Sequence, residues 1–503
     1  ICQYLLRKDL ARCVLVSKAW AGWFSPALWR DLDCRNSTPD ILILTRHQEH
    51  IRTVRNIPMD CNRPAREQLA CLRLQRLEIN EMSSGSFRPT IRTLRLLERI
   101  PTLQRLHITL PLDLDHIHQQ WMRTIRALPC LESLTLEYPR LVNGMVLLEV
   151  LQACRGLQYL SLTHHWLDEI LEEEDEQEYK DAREAIRRMP PLRLCELSFS
   201  SLADVVEKNI LQPLLERCPR MEKLHIADMC SGLTLEHLTK TLKENKLPEL
   251  RHLIIGSYAV YDSPAQKIYD DLLSSFPRGL ESFGFSSCVR GPHFQPLIPH
   301  HSRSLTRLEI MNTSISFSML SDLMTGLPCL RIVKAEIDQG QYREDILPLN
   351  RDWKCVDMTN LQLDLGMWDI RFTITDPEWK ESTEKACLDH VFSQVGKLKN
   401  LQVLNLGCDL NIYVSKHGYL KQLAGLKQLK ILDLRNTLCA GLRKQEALWM
   451  TKNWPKLVQV NENGLTVAFK KTLRMKRPLI EIVFIEDTFD DDDSDDSDDS
   501  DDF

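Results

Sequence analysis

Histidines next to other ligand-type residues are the part of this sequence that comes nearest to metal chemistry. Asp115, His116 and His118 lie close together, and two His-His pairs occupy positions 164–165 and 300–301. Imidazole and carboxylate groups bind zinc, but a zinc site needs three or four ligands at characteristic spacings. No further ligands stand at such spacings, so we interpret these histidines as surface or loop residues and expect no metal.

Other catalytic patterns are missing from the sequence. It contains no GxxxxGK[ST], GxGxxG, HExxH or GxSxG motif, which argues against a phosphate cradle, a zinc protease or a hydrolase nucleophile. The 16 cysteines form no Cys-x-x-Cys pair, and several adjoin Leu or Pro, as Cys130, Cys218 and Cys329 do. Such cysteines predict reduced, buried thiols that are poor nucleophiles. We therefore expect that the protein is not an enzyme and binds no cofactor. We also expect it to be intracellular, in the cytoplasm, the nucleus or both.

A six-residue phrase recurs through the chain: Leu, two variable residues, an apolar residue, one variable residue and another apolar residue. Most successive copies begin 25 to 30 residues apart. This pattern and period are typical of leucine-rich repeats. The fourteen copies begin at Leu74, Leu103, Leu131, Leu157, Leu194, Met221, Leu250, Leu280, Leu305, Leu330, Met358, Leu401, Leu429 and Leu457.

The pattern within each repeat predicts its local structure. The alternating end of the phrase predicts a short strand with one face inward. Between phrases, residues 117–128 and 206–218 carry apolar side chains three or four positions apart, which predicts helices with one buried face. The fold class is therefore predicted as α/β, a curved leucine-rich-repeat solenoid over residues 36–465, with parallel strands on its concave face and helices on its convex face. No apolar run is long enough to span a membrane.

Two insertions interrupt the repeat, near residues 163–190 and 364–398. In the second, Asp376 is a predicted N-cap with Pro377 at the first helical position. The predicted apolar face of that helix consists of Leu388, Val391, Phe392 and Val395. Insertions in repeat arrays often lie on the binding side, but a tolerated surface loop is an equally good interpretation.

The beginning of the chain fits no repeat of this kind. Asp9 and Ser17 can each cap a short helix, and Trp20 and Trp23 then stand one helical turn apart in the second helix. Pro26 is expected to end or turn that helix. Because a helical module of this size cannot bury much apolar surface by itself, we expect it to dock on another surface.

The segment "DLARCVLVSKAWAGWFSPALWRDL" resembles the second half of an F-box. The matching features are Asp9-Leu10, the "VSKAW" of residues 16–20 and Leu28-Trp29. The resemblance covers residues 1–35, and a typical F-box begins with a Leu-Pro segment that we expect upstream of residue 1. Because leucine-rich repeats follow, the whole chain resembles fungal-type F-box and leucine-rich-repeat proteins.

This resemblance implies a substrate-recognition subunit of an SCF-type (Skp-cullin-F-box) ubiquitin ligase. The F-box would bind a Skp-type adaptor and through it the cullin subunits, and the repeats would bind a protein substrate; no nucleic acid and no membrane are expected as partners. The adaptor-binding residues implied are Leu5, Leu6, Leu10, Val14, Val16, Trp20, Leu28 and Trp29.

Within that set, we interpret Trp20 and Trp29 as core residues rather than direct contacts; for Trp23, which lies outside the set, core packing is one interpretation. Leu5, Leu6 and Val14 are the better docking candidates. The alternative is a protein-binding repeat scaffold outside any ligase, with a degenerate F-box.

The C-terminal end carries opposite charges in two neighbouring segments. The chain has a formal net charge of −6, and residues 486–503 hold twelve acidic and no basic residues. This composition predicts a disordered acidic tail. Before it, residues 466–485 are basic and apolar, with "FKKTLRMKR" at 469–477. This run is interpreted as a solvated face, a partner of the tail or a nuclear import signal.

Overall fold

The computed structural model of the chain describes the following stretches and single residues. They are residues 5, 7–34, 41–58, 69, 72–80, 94–109, 118–138, 144–164, 176–200, 210–227, 232–257, 263–287, 294–337, 351–364, 386 with 388–407, 418–434, 442–461 and 466–483. The chain divides into two compact units, Ile1–Ser314 and Ile315–Phe503.

The first unit is built on parallel strands, each of which pairs with the next in the chain. They are β1 (Asp31–Asp33), β2 (Thr53–Pro58), β3 (Arg76–Asn80), β4 (Arg105–Thr109), β5 (Ser133–Tyr138), β6 (Tyr159–His164), β7 (Glu196–Ser200), β8 (Lys223–Ala227), β9 (His252–Ser257), β10 (Ser282–Ser287) and β11 (Arg307–Ile315).

Helices alternate with these strands. They are α1 (Arg7–Val14), α2 (Lys18–Trp29), α3 (Ile41–His47), α4 (His118–Arg126), α5 (Gly144–Ala153), α6 (Glu176–Arg188), α7 (Leu211–Glu216), α8 (Gly232–Lys243), α9 (Ser263–Ser274) and α10 (Leu297–His301). A strand followed by a helix and a parallel strand is the unit that the repeat period predicts.

The second unit repeats this plan. Its strands are β12 (Ile332–Ile337), β13 (Asn360–Asp364), β14 (Val403–Gly407), β15 (Ile431–Asp433), β16 (Gln459–Asn461) and β17 (Glu481–Val483), each parallel to the next. Its helices are α11 (Phe317–Gly326), α12 (Tyr419–Gln422), α13 (Lys444–Asn453) and α14 (Val467–Lys476), with a 3-10 turn at Leu423–Gly425.

The leucines of the phrase form the core because equivalent positions lie beside one another. Leu106, Leu134 and Leu160 are paired in register on β4, β5 and β6 and are buried. One backbone carbonyl per repeat also accepts two hydrogen bonds from the next repeat: Gln104 O accepts from Glu132 N at 2.8 Å and from Ser133 N at 3.0 Å. Apolar burial and this ladder together lock the repeats in phase.

The predicted fold class is confirmed: all fourteen phrases contain a strand, and the chain is an α/β leucine-rich-repeat solenoid. The predicted helix faces are buried where they are described, at Trp121, Ile125, Leu128, Ile210, Leu214, Cys218, Leu388, Val391, Phe392 and Val395. Asp376 and Pro377 lie outside the described residues. Of the first insertion, residues 176–188 form α6.

Three predictions of local structure are wrong. Pro26 neither ends nor turns its helix, because α2 continues to Trp29. Asp9 lies inside α1 rather than before it. Cys130 is exposed rather than buried, since it lies in the turn before β5. In the described part of the chain, no helix is long and apolar enough to cross a membrane.

The array is also longer than the fourteen phrases. Strands β1, β2 and β17 extend it at both ends. β1 lies within residues 1–35. α14 and β17 together form a further repeat at residues 466–483.

Candidate functional site: an apolar surface on the first two helices

The first two helices pack on each other through a small apolar contact. Leu10 of α1 is only 6% exposed, and α1 contacts α2. Ser17 is the predicted cap of α2: its backbone is extended and its Oγ accepts a hydrogen bond from Trp20 N at 3.2 Å. This cap satisfies an N–H that the first helical turn leaves without a backbone partner, which fixes the turn between the helices.

Helix α2 leads directly into the repeat array. Trp29, Leu32 and Cys34 have the spacing of the three apolar positions of the phrase, and Leu32 and Cys34 are buried. Arg30 O accepts hydrogen bonds from Arg52 N at 2.9 Å and from Thr53 N, as the equivalent carbonyl does in later repeats. The last residue of α2, the half-buried Trp29, therefore takes the position that the first Leu of the phrase has in later repeats.

Trp29 is held there by an aromatic contact. Its ring stacks on that of His47 at a centroid distance of 4.2 Å and an angle of 11°. Burial lowers the pKa of His47, and the nearby charges of Arg46 and His50 lower it further. The neutral imidazole stacks on the indole without bringing a desolvated charge to the contact.

Large apolar side chains lie exposed on the same module. The exposed fractions are 85% for Leu15, 63% for Val16, 39% for Trp20 and 70% for Trp23. Leu15 and Val16 lie in the turn between the helices, and the two tryptophans follow on the first turns of α2. We call these four residues the α1–α2 apolar surface. Exposed aromatic and aliphatic side chains grouped in this way are typical of protein-docking sites.

An open groove lies beside this surface, where the helices meet the first strands. Its volume is about 870 Å³. Its apolar lining includes Leu10, Trp23 and Leu28, and its charged lining includes Arg30 and Arg52. The full lining is Leu5, Arg7, Leu10, Trp23, Pro26, Ala27, Leu28, Arg30, Asp31, Glu49, His50, Arg52 and Gln75.

The structure distributes the eight sequence-predicted adaptor residues unevenly. Val16 and Trp20 are exposed. Leu5, Val14, Leu28 and Trp29 are half-buried, Leu10 is buried, and Leu6 lies outside the described residues.

The burial pattern changes the interpretation of several residues. Leu10 is buried, although it also lines the groove where the helices meet the first strands. Trp20 is not a core residue: its ring lies tilted against Phe24 at 5.4 Å and remains exposed. The exposed Trp23 and Leu15 were not among the predicted adaptor residues, although the one-turn spacing of Trp20 and Trp23 already placed both tryptophans on one side of α2.

The histidines considered for metal binding have other surroundings. His301 is fully buried, and both of its ring nitrogens bond to the backbone of residues 273 and 280. Asp115, His116 and His165 lie outside the described residues. Across the residues that are described, no group of three or more His, Cys, Asp or Glu side chains could hold a metal ion.

Several solved structures are similar to the structure of this chain, at low sequence identity. A chain of the yeast Rad7 and Elc1 complex has a TM-score of 0.43 and 16% identity, over 78% of this chain and 83% of that one. The leucine-rich repeat-containing protein LegL7 of Legionella pneumophila has a TM-score of 0.31 and 13% identity, over 79% of this chain and 97% of that one. A Bacteroides fragilis protein has a TM-score of 0.32 and 19% identity, over 52% of this chain and 74% of that one.

No protein-family model and no curated protein sequence matches the chain. Its class, a leucine-rich-repeat protein with an N-terminal helical module, therefore rests on its own strand register and core.

Proposed function

We propose that the chain is a substrate-recognition subunit of an SCF-type ubiquitin ligase, and that the α1–α2 apolar surface binds the Skp-type adaptor. The supporting observation is the exposure of Leu15, Val16, Trp20 and Trp23 within the segment that resembles an F-box. In this proposal the chain performs no chemistry itself, because ubiquitin transfer belongs to other subunits.

The protein substrate binds the strand face of the repeats, whose variable positions in the first unit are mostly polar, with Ile254 on β9 and Gly284 on β10 as exceptions. Glu137 on β5 accepts a hydrogen bond from the Thr109 hydroxyl at 2.8 Å and lies 3.0 Å from His107 Nε2. Ser198 Oγ lies 3.2 Å from His225 Nδ1 on the next strand. These bonds between strands hold polar groups in fixed positions, which favours recognition of a polar protein surface.

The adaptor contact can be tested by binding measurements on the product of the native gene. We expect the purified Skp-type adaptor of the same organism to form a one-to-one complex by calorimetry. Trp23→Asp with Leu15→Asp should weaken that complex by a hundredfold or more, since each exposed anchor is worth about 2 kcal/mol on burial. Leu42→Asp on α3 is the matched control, because Leu42 is 77% exposed but lies outside the surface.

Two results would contradict this proposal. Equal binding by the Trp23/Leu15 variant and the Leu42 control would remove the α1–α2 apolar surface as the adaptor site. No binding by any folded protein, with folding checked by circular dichroism, would remove the ligase role.

The second outcome would support the alternative, a scaffold whose first helices only cap the array. The observation that favours this alternative is the continuity of α2 with β1 through Trp29 and Arg30, because terminal repeats of a solenoid need a cap.

A further inference from the structure

The last repeat of the second unit leaves a mixed basic and apolar face uncovered. On α14, Val467 is 79% exposed and Met475 is 63% exposed, and Leu479 in the following turn is 96% exposed. Lys471 and Arg474 are exposed on the same side of the helix, four and seven positions after Val467. The opposite side of α14 is the core side, with Phe469 and Leu473 buried.

In this fold, the next segment of the chain returns to the flank of the preceding helix, while the side opposite the core stays exposed, as Lys444 and Lys452 do on α13. Each helix precedes a strand, and the segment after that strand returns to contact the helix: α5 contacts α6, α8 contacts α9, and α13 contacts α14. The place next to α14 therefore belongs to the residues that follow β17. Those residues begin at 484 and carry the twelve acidic side chains of the tail.

Composition and reach both fit this occupant. Phe484, Ile485 and Phe489 supply apolar side chains, and Glu486 and Asp487 with the later aspartates supply negative charge. α14 has 10 residues, so its length is about 15 Å. Nine residues in extended conformation span about 30 Å, so residues 484–492 are long enough both to cross from the strand layer to the helix layer and to run along α14.

We propose that residues 484–492 bind the exposed face of α14 within the same molecule and cap the C-terminal end of the array. The apolar residues of this segment cover Val467, Met475 and Leu479, and its carboxylates pair with Lys471 and Arg474. The contact also masks the basic run at 469–477 from other acidic partners, and added salt weakens it because its charges are at the surface.

A zero-length carbodiimide cross-link tests this contact, since it joins a carboxylate to a lysine amine only where the two nearly touch. In the full chain, we expect tail carboxylates to be linked mainly to Lys471 in low salt and the link to be lost in 1 M NaCl, where the Debye length falls to about 3 Å. Lys444 and Lys452 on α13 are matched controls, because they are exposed lysines on the neighbouring helix. Mixing ¹⁵N-labelled and unlabelled protein separates links within one molecule from links between two.

A second measurement removes the dependence on lysine reactivity. Lys471→Glu with Arg474→Glu should speed hydrogen exchange at the amides of residues 484–489, whereas Lys444→Glu with Lys452→Glu should leave it unchanged. The proposal is overturned if the tail links equally to all exposed lysines, if the links form only between molecules, or if the two pairs of variants exchange alike.

Discussion

His301 is the buried titratable group for which the structure allows a stability effect to be worked out. The side chain is fully buried in the first unit, with the ring of Phe276 at 5.9 Å. Leu280 N–H donates to Nδ1 at 3.0 Å, and Nε2–H donates to Leu273 O at 2.9 Å. These two bonds need the neutral ring with its proton on Nε2, because a second proton on Nδ1 would face the Leu280 N–H.

The electrostatics agree with this geometry. Burial is the main cause that lowers the pKa of His301 from 6.5 to about 4; the neighbouring His300 adds to it, and the bond to Leu273 opposes it. As pH falls, the unfolded chain binds the proton first. The stability contributed by the neutral His301 is therefore complete above pH 6.5, declines below it and is lost near pH 4.

The size of the effect follows from the pKa difference. From linkage, the loss for this one group is about 2 kcal/mol at pH 5 and about 3 kcal/mol at pH 4. His301→Gln retains one acceptor and one donor but does not titrate, so its free energy of unfolding should fall less than that of the wild type between pH 7 and pH 5. Urea denaturation followed by circular dichroism at both pH values measures the difference, in which the other histidines cancel.

His300→Gln is the control, because His300 is adjacent and exposed. It should keep the pH dependence of the wild type. If His301→Gln shows the same loss of stability between pH 7 and pH 5 as the wild type, His301 is not the buried neutral group that the two backbone bonds require.

Two substitutions in the second unit and one in the first test the packing of the array. Gly396→Ala should lower the free energy of unfolding by about 1 to 3 kcal/mol, because the new Cβ would meet the Gln422 backbone carbonyl. Gly22→Ala in α2 should instead stabilise the protein by about 0.5 to 1 kcal/mol, because nothing beyond the neighbouring backbone of its own helix lies within 4 Å of the new Cβ. Trp454→Phe should cost about 1 to 3 kcal/mol, since Trp454 Nε1–H donates to Leu423 O at 3.0 Å in the core. The urea midpoints of the three variants test these predictions. A Gly396→Ala variant as stable as the wild type would contradict the close approach of residue 396 to the Gln422 carbonyl.

The repeats were predictable because their information is local and repeated many times. A single Leu-x-x-Leu-x-Leu phrase carries little weight, but fourteen copies in phase require one architecture. The phrase also fixes which face of each strand is buried, as at Leu404 and Leu406 on β14, because alternate residues of a strand point to opposite faces.

Strands β1 and β2, which precede the fourteen phrases, depart from the phrase for identifiable reasons. Around β1, Trp29 and Cys34 replace two of the leucines. In β2, the pairing with β3 shifts register between Val54 and Ile57, and Asn56 has a positive φ of 55°. The bulge places an extra residue between the apolar positions, so the six-residue spacing is lost although the strand remains.

The candidate docking site was harder to predict than the fold, because it depends on which side of a two-helix module the array covers. The pattern around Trp20 shows that the helix has an apolar side, but an apolar side can serve a core or a partner. The structure separates the two uses: Leu10 is buried and Trp29 is half-buried against His47, whereas Leu15 and Trp23 are exposed. That distinction arises only when α2 is joined to β1.

This junction has a consequence for any partner of the α1–α2 apolar surface. Trp29 ends α2, stacks on His47 and takes the position of the first Leu of the phrase, and the Arg30 carbonyl accepts two hydrogen bonds from the next repeat. No linker separates the helix from the first strand, so rotating α2 would break both contacts at once. A protein bound at Trp23 is therefore held at a fixed orientation to β1 and β2. In the proposed receptor role, this junction keeps the bound adaptor at a set position relative to the repeats; the same continuity also serves a cap of the array, so the binding measurement has to separate the two roles.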